Sequence, residues 1–474
     1  MRTNTRKIWI AGLATVASLG ATPQNTELID AAKSADATKV ATLLEQRVDV
    51  NAAQADGATA LHWAAHLDHK GMASALILAG AAVNITNDFG VTPLWLACLN
   101  GSATMVKLLL QAGADATAAL PSGETTLMTA SRSGSAEAVS LLVAYGANPN
   151  AQEYSRGQTA LMWAVAQRHQ AVVKTLVELG ADLHIRSTPR PRRIHTRTAG
   201  FNPARVIDVV QGGFTAMLFA ARSGDLEIAT HLVDGGADID DTSLLGTSAL
   251  VVATHSGHTA LATFLLERGA DPNAADAGYS ALHTATLRGD QALVSALLAR
   301  GADPNVLVQR GSPGRRNSPD YVLEHDVVGA TAFWLAARFA EPGIMRILKD
   351  NGATPHLVMP GGTTPLMAAT NARRRREPGL AANPVEEERL ILEAVRLAIE
   401  GGIDLDAADE SGNAALHTAA SRRLDSVIQL LIESGATMNT ENEAGQTPLA
   451  LAARRNTDDN STVTLLRRLG AADD

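Results

Sequence analysis

A glycine returns along this chain at a nearly fixed interval: Gly57, Gly90, Gly123, Gly157, Gly213, Gly246, Gly278, Gly329, Gly362, Gly412 and Gly445. Seven of the ten gaps lie within one residue of 33, and the other three, of 56, 51 and 50, equal one period plus 17 to 23 residues. A period in this range specifies a stack of small units, none of which can bury its apolar face alone. Each unit packs against its neighbours, so stability accumulates locally along the chain. That resolves a difficulty of size, because 474 residues exceed what one hydrophobic core usually supports.

Asp56 to Asn84 shows the unit in full. It opens Asp56-Gly57-Ala58-Thr59-Ala60-Leu61-His62-Trp63-Ala64-Ala65 and closes Leu76-Ile77-Leu78-Ala79-Gly80-Ala81-Ala82-Val83-Asn84. Alanine and leucine at helical spacing predict a short first helix, then a turn, then a second helix carrying apolar pairs such as Leu109 and Leu110. Thr59, Thr92, Thr125, Thr159 and Thr215 stand just before the first helices, where a hydroxyl satisfies free N–H groups. Gly113, Gly146, Gly180, Gly236, Gly269, Gly301, Gly352 and Gly435 close the second helices, as a left-handed backbone position requires. Residues 21–54 hold a degenerate first unit without the opening turn, the pattern of a capping repeat.

These spacings resemble the ankyrin repeat, with its Gly-x-Thr-Pro-Leu-His start and Gly-Ala-x-x-Asn finish. The best matches are Gly90-Val91-Thr92-Pro93-Leu94, Gly445-Gln446-Thr447-Pro448-Leu449, and the pairs Leu61-His62, Leu282-His283 and Leu416-His417. The resemblance covers nearly all of residues 26 to 473. It implies an all-α solenoid of about eleven full repeats behind a cap, with loops or hairpins protruding as fingers between neighbours. It also implies protein recognition through the concave face formed by the fingers and first helices, with no catalytic residues and no cofactor. Several units depart from the pattern, at Ala60, Ala160, Ala216 and Ala332 for the proline and at Trp95, Met128, Met162 and Met367 for the histidine.

Three insertions interrupt the period. Repeats over 55–184 are followed by a basic loop, 185–211, with Arg186, Arg190, Arg192, Arg193, Arg197, Arg205 and His195. Pro189 and Pro191 predict that this loop resists regular structure. Repeats over 212–305 are followed by a second loop, 306–328, with Arg310, Arg315, Arg316 and Tyr321. The repeats of 329–474 contain the third, 371–384, which carries Arg373 to Arg376 and falls between the two helices of one unit. It is expected on the edge away from the fingers, and the chain is expected to end in a polar cap.

The first twenty residues differ in kind. Arg2, Arg6 and Lys7 precede the apolar stretch Ile8 to Leu19 and the small residues Ser18-Leu19-Gly20, which reads as a secretory signal peptide over 1–20. The expectation is a bacterial-type exported protein, periplasmic or secreted, with no transmembrane anchor after processing. The single cysteine, Cys98, excludes an intramolecular disulfide framework and reads as a buried small hydrophobe. A net charge of -9 argues against specific nucleic-acid binding by the body of the chain.

Chemistry has few footholds. The serines form no Gly-x-Ser-x-Gly elbow, and no glycine-rich loop leads into Lys-Ser or Lys-Thr. His62, His66 and His69 form a weak candidate zinc constellation, set against the role His62 has as the repeat's usual histidine. The binding candidates are Phe89, Trp95, Tyr154, Trp163 and Tyr279 near the repeat openings, with Arg186, Arg190, Arg192, Arg193, Arg197, Arg310, Arg315 and Arg316 in the first two insertions. Aromatic residues and arginine dominate interface energetics, and only 3% of the chain is aromatic. Phe89, Tyr154 and Tyr279, beside the turn glycines, are expected to be the exposed ones. The function expected is a non-catalytic exported scaffold for a protein partner. The alternatives are a binder of an anionic polymer or anionic membrane surface through the arginine-rich insertions, and a structural or self-assembling spacer.

Overall fold

The computed structural model describes residues 26–195, 206–311, 325–372, 383–454 and 461–472. The signal-peptide segment and most of the second and third insertions lie outside them, as do Arg197, Arg315, Arg316 and Arg373 to Arg376. The chain divides into two units, one formed by residues up to 190 together with 211–238 and the other by 191–210 together with 239–474.

The first unit holds six helix pairs: α1 (Glu27–Lys33) and α2 (Ala37–Glu45), α3 (Ala60–His66) and α4 (Lys70–Leu78), α5 (Pro93–Leu99) and α6 (Ala103–Gln111), α7 (Thr126–Ser133) and α8 (Ala136–Ala144), α9 (Ala160–Gln167) and α10 (Gln170–Glu178), then α11 (Ala216–Ser223) and α12 (Leu226–Asp234). First helices pack on first helices and second on second, giving two layers within the unit. The apolar residues that recur at helical spacing fill the space between them: Leu61, Leu94, Leu127 and Leu161 from the first helices, Leu76, Leu109, Leu142 and Leu176 from the second, all buried. Cys98 lies in this core, where burial pushes its thiol pKa well up.

The second unit repeats the plan with six pairs: α13 (Ala249–Ser256) and α14 (Thr259–Glu267), α15 (Ala281–Arg288) and α16 (Gln291–Ala299), α17 (Ala332–Arg338) and α18 (Pro342–Asp350), α19 (Pro365–Thr370) and α20 (Pro384–Glu400), α21 (Ala415–Arg422) and α22 (Asp425–Glu433), then α23 (Pro448–Ala453) and α24 (Ser461–Leu469). The third insertion does separate the helices of one pair, α19 and α20. It also lengthens α20 to 17 residues, against 9 for the second helices α14 and α16.

Side chains spaced one period apart tie the repeats together. Thr92 Oγ1 accepts from Trp95 N at 3.1 Å, capping α5, and the same bond recurs at Thr125, Thr159 and Thr215. At the closing asparagine the bonds cross to the next unit: Asp115 N donates to Asn84 Oδ1 at 2.8 Å while Asn84 Nδ2 donates to Gly113 O at 2.9 Å. Asn273 and Asn305 do the same in the second unit. The finger turns stack through their glycines. Gly412, at φ +75°, leaves only 2.6 Å between the place a Cβ would take and Glu443 N, so a side chain there collides with the next finger.

The first insertion corrects the expectation drawn from its prolines. It forms two paired strands, β1 (Arg190–His195) and β2 (Val206–Gln211). Cross-strand pairing overrides the local proline signal because an edge strand tolerates a missing N–H.

Candidate functional site

Helix register separates the aromatic positions of the first helices. Counting from the turn glycine, the fifth residue faces into the stack: His62, Trp95, Met128, Met162 and Leu218 in the first unit are all buried. The sixth is turned by about 100°; there Trp63 and Trp163 are half-buried, whereas Thr129 and Phe219 are buried.

Cations cover these rings. Lys33 Nζ lies 5.2 Å from the Trp63 ring centroid, and the His66 ring meets the same indole edge-on at 5.8 Å. Arg132, from the preceding first helix, stands 5.0 Å over Trp163. Its guanidinium also pairs with Glu124 at 3.1 Å, and Glu124 accepts from Thr129 Oγ1 at 2.9 Å. Arg222 lies 5.3 Å from the Phe219 ring and 5.7 Å from Phe214, which touch edge-on. The result is a series of cation–aromatic pairs along α3, α9 and α11, held in place by hydrogen bonds and covering partly buried apolar surface.

The fingers add two exposed rings. Phe89 is 52% and Tyr154 77% exposed, two fingers apart. Tyr154 is fixed from both sides: its N donates to Ser122 O at 2.9 Å, and its ring packs on the Gly123 backbone, 3.0 Å from where a Cβ would be. Glu153 forms the turn beneath it, accepting from Arg156 N at 2.7 Å and Gln158 N at 3.1 Å as well as from Ser155 N. Burial raises the Glu153 pKa, but those donors more than offset it and hold the carboxyl below its ordinary value.

Several expected site residues have structural roles instead. Trp95, at the inward fifth position, is 6% exposed. Tyr279 is buried too, which pushes its hydroxyl pKa up. Arg186 donates to Gly213 O at 2.9 Å, and Arg310 spans back to Asp276 O and Ala277 O at 3.0 and 3.2 Å. Both donate to backbone carbonyls of the fingers. Arg190 and Arg192 are exposed on β1, and the side chain of Arg193 lies outside the described residues. Phe89 and Tyr154 are exposed, as expected of them, and Trp163 is half-buried. Arg132 and Arg222 were not signalled as binding residues, although each falls nine positions after the turn glycine of its repeat.

The histidine constellation does not converge on a metal. His62 Nδ1 accepts from Thr59 N at 3.1 Å, so its Nε2 carries the proton donated to Val91 O at 3.0 Å. Both ring nitrogens are thereby used, and burial lowers the His62 pKa against the opposing pull of the Val91 carbonyl. His69 Nδ1 accepts from Met72 N at 3.2 Å, capping α4, and His66 packs on Trp63. Among the described residues no group of three or more potential ligands is placed to hold a metal ion. Nor is any helix there long and apolar enough to cross a membrane.

A family model described as ankyrin repeats in three copies matches residues 28–119, 116–187, 209–308 and 385–472, well over half of the chain. Among solved structures, the crystal structure of the human ASB11 ankyrin repeat domain is 28% identical, aligning over 53% of this chain and 100% of that one with a TM-score of 0.42.

Proposed function

The chain belongs to the ankyrin-repeat family, and we propose that it holds a protein partner against the first-helix face and finger row of its first unit. As a member of that family it is a non-catalytic protein-interaction module. The observation that carries the specific assignment is the series of half-buried, cation-covered rings, Trp63, Trp163 and Phe214, beside the exposed Phe89 and Tyr154. Rigid aromatic groups with adjacent cations contribute area, cation–π attraction and carboxylate recognition at little entropic cost. The equivalent sixth positions of the second unit, Val252, Thr284, Leu335, Ala368, Thr418 and Leu451, hold no aromatic residue, which favours the first unit.

The N-terminal segment, with its basic head and apolar run, supports placing this activity outside the cytoplasm, in a periplasm or secreted. Fractionation with an antibody to the mature region checks this, and a product retaining residues 1–20 in the cytosol counts against it. The binding assignment is tested by measuring partner affinity for Trp163→Ala and Tyr154→Ala. A loss of about tenfold or more in each supports it; unchanged affinity in both removes it.

A further inference from the structure

Three successive fingers of the first unit each carry an exposed apolar group: Phe89, Pro121 and Tyr154. The last two rest on the turn glycine of the finger before them. Pro121 Cδ lies 2.8 Å from the place a Cβ would take at Gly90, and the Tyr154 ring lies 3.0 Å from the equivalent place at Gly123. Main-chain bonds from Asp88 N to Asp56 O, at 2.8 Å, and from Tyr154 N to Ser122 O, at 2.9 Å, fasten the two ring-bearing fingers to their predecessors. The three groups therefore form a stripe, ring then proline then ring, with one group per repeat.

The spacing of the stripe selects the conformation of what lies along it. Adjacent first helices pack directly on one another, which sets successive fingers about 8–10 Å apart. An extended strand advances about 3.3 Å per residue and alternates its faces, so one face returns about every 6.6 Å and falls out of step with the fingers. A polyproline II helix has three residues per turn at about 3.1 Å each, so one face returns about every 9.3 Å, once per finger. We propose that the stripe takes a proline-rich polyproline II segment of the partner, one turn against each finger. The inference rests on the placing of a protein partner on this finger row and names the chemistry of the segment that meets it. Aromatic surfaces are where such preformed segments dock. A polyproline II backbone makes no internal hydrogen bonds, so its carbonyls are open acceptors for the Tyr154 hydroxyl, which has no partner among the described residues. Charge sets the direction. Asp88 adjoins Phe89 and Arg156 lies two residues past Tyr154; both are exposed, and neither side chain is paired among the described residues. A segment with a basic residue at its Phe89 end and an acidic residue at its Tyr154 end is complementary to both.

The test uses the full chain and a fluorescently labelled ten-residue peptide with proline at every third position, lysine first and glutamate last. Its anisotropy is compared with that of a peptide of the same composition whose prolines are consecutive, and with one carrying alanine for each proline, a helix former. Saturable binding of the periodic peptide is expected, with each control at least about tenfold weaker. Tyr154→Ala should weaken the periodic peptide by about tenfold, and Tyr154→Phe and Arg156→Gln, which keep the ring and the fold, by severalfold. Absence of binding, equal binding of the consecutive-proline peptide, or equal affinity in Tyr154→Phe and Arg156→Gln would each overturn the proposal. Equal or tighter binding of the alanine peptide would also overturn it and mark a helix as the occupant. Capture of the native partner at Tyr154 without any peptide binding overturns the polyproline assignment alone and leaves the finger row as the partner's site.

Discussion

The guanidinium of Arg132 lies 5.0 Å over the ring of Trp163, joining two successive first helices across a repeat boundary. The same arginine is paired with Glu124 at 3.1 Å, so its position is set before any partner arrives. A double-mutant cycle over Arg132→Ala and Trp163→Ala should show a coupling in unfolding free energy of about 0.5 to 1 kcal/mol, the usual worth of a partly exposed cation–π pair. A coupling indistinguishable from zero means the two groups are merely adjacent.

Acid sensitivity follows from the histidines that staple neighbouring units. His283 Nδ1 accepts from Ser280 N at 3.1 Å, and its Nε2 donates to Val306 O at 3.0 Å. Burial pushes its pKa down from 6.5 to about 4, against the pull of the Val306 and Ala330 carbonyls. The folded state therefore favours the neutral ring. Its contribution is complete above pH 6.5, declines as pH falls from 6.5 towards 4, and is gone below that. The linkage is worth roughly 3 kcal/mol at full extent, at 1.36 kcal/mol per pKa unit. Denaturant midpoints measured between pH 8 and 4 should fall across that window, and His283→Gln should flatten the decline. Glu153, held below its ordinary value, adds a further loss only as pH drops below about 4.5.

Two glycines separate the cost of backbone conformation from the cost of collision. Gly435, at φ +101°, has open space where a Cβ would stand, whereas Gly412, at φ +75°, has Glu443 N 2.6 Å away. Gly435→Ala should cost about 1 kcal/mol, the penalty of a left-handed alanine. Gly412→Ala should cost about 1 to 3 kcal/mol more, because backbone of the next finger must move. Equal midpoints for the two in urea would mean that the fingers are not closely stacked.

The closing asparagines supply a further inter-repeat link. Asn84→Ala removes the bonds to Asp115 N and Gly113 O and should lower stability by about 1 kcal/mol, given that the site is exposed. Asn84→Asp keeps the acceptor and loses the donor, so it should fall between wild type and alanine. Asp406 already uses the acceptor half of this arrangement, taking Thr437 N at 2.8 Å.

Most of the fold was legible because the period is written in residues with a backbone duty. The turn glycines, capping threonines and closing asparagines each make a local bond that the sequence names directly. The site was harder to read. Trp95 and Trp163 look alike in the chain, yet a single position of register, about 100° of helix rotation, buries one and leaves the other half-open. Tyr154 and Tyr279 both lie near a turn glycine, yet one is exposed and the other buried. Arg186 and Arg310 read as binding charge until backbone carbonyls of distant residues claim them. Pro189 and Pro191 suggest irregular chain, whereas the pairing of β1 with β2 depends on partners distant in sequence, which no local signal names.

The central claim is that the first-helix face and fingers of the first unit meet the partner. It is tested most directly by site-specific photo-crosslinking, with the crosslinking residue placed in turn at Tyr154, at Phe89 and at Leu78, the last being 88% exposed at the end of second helix α4. One and the same protein should be captured from the native extract at Tyr154 and Phe89 and not at Leu78, with capture falling at least about tenfold in the Trp163→Ala background. Capture of that protein at Leu78 alone, or capture at Tyr154 unaffected by Trp163→Ala, would contradict the claim.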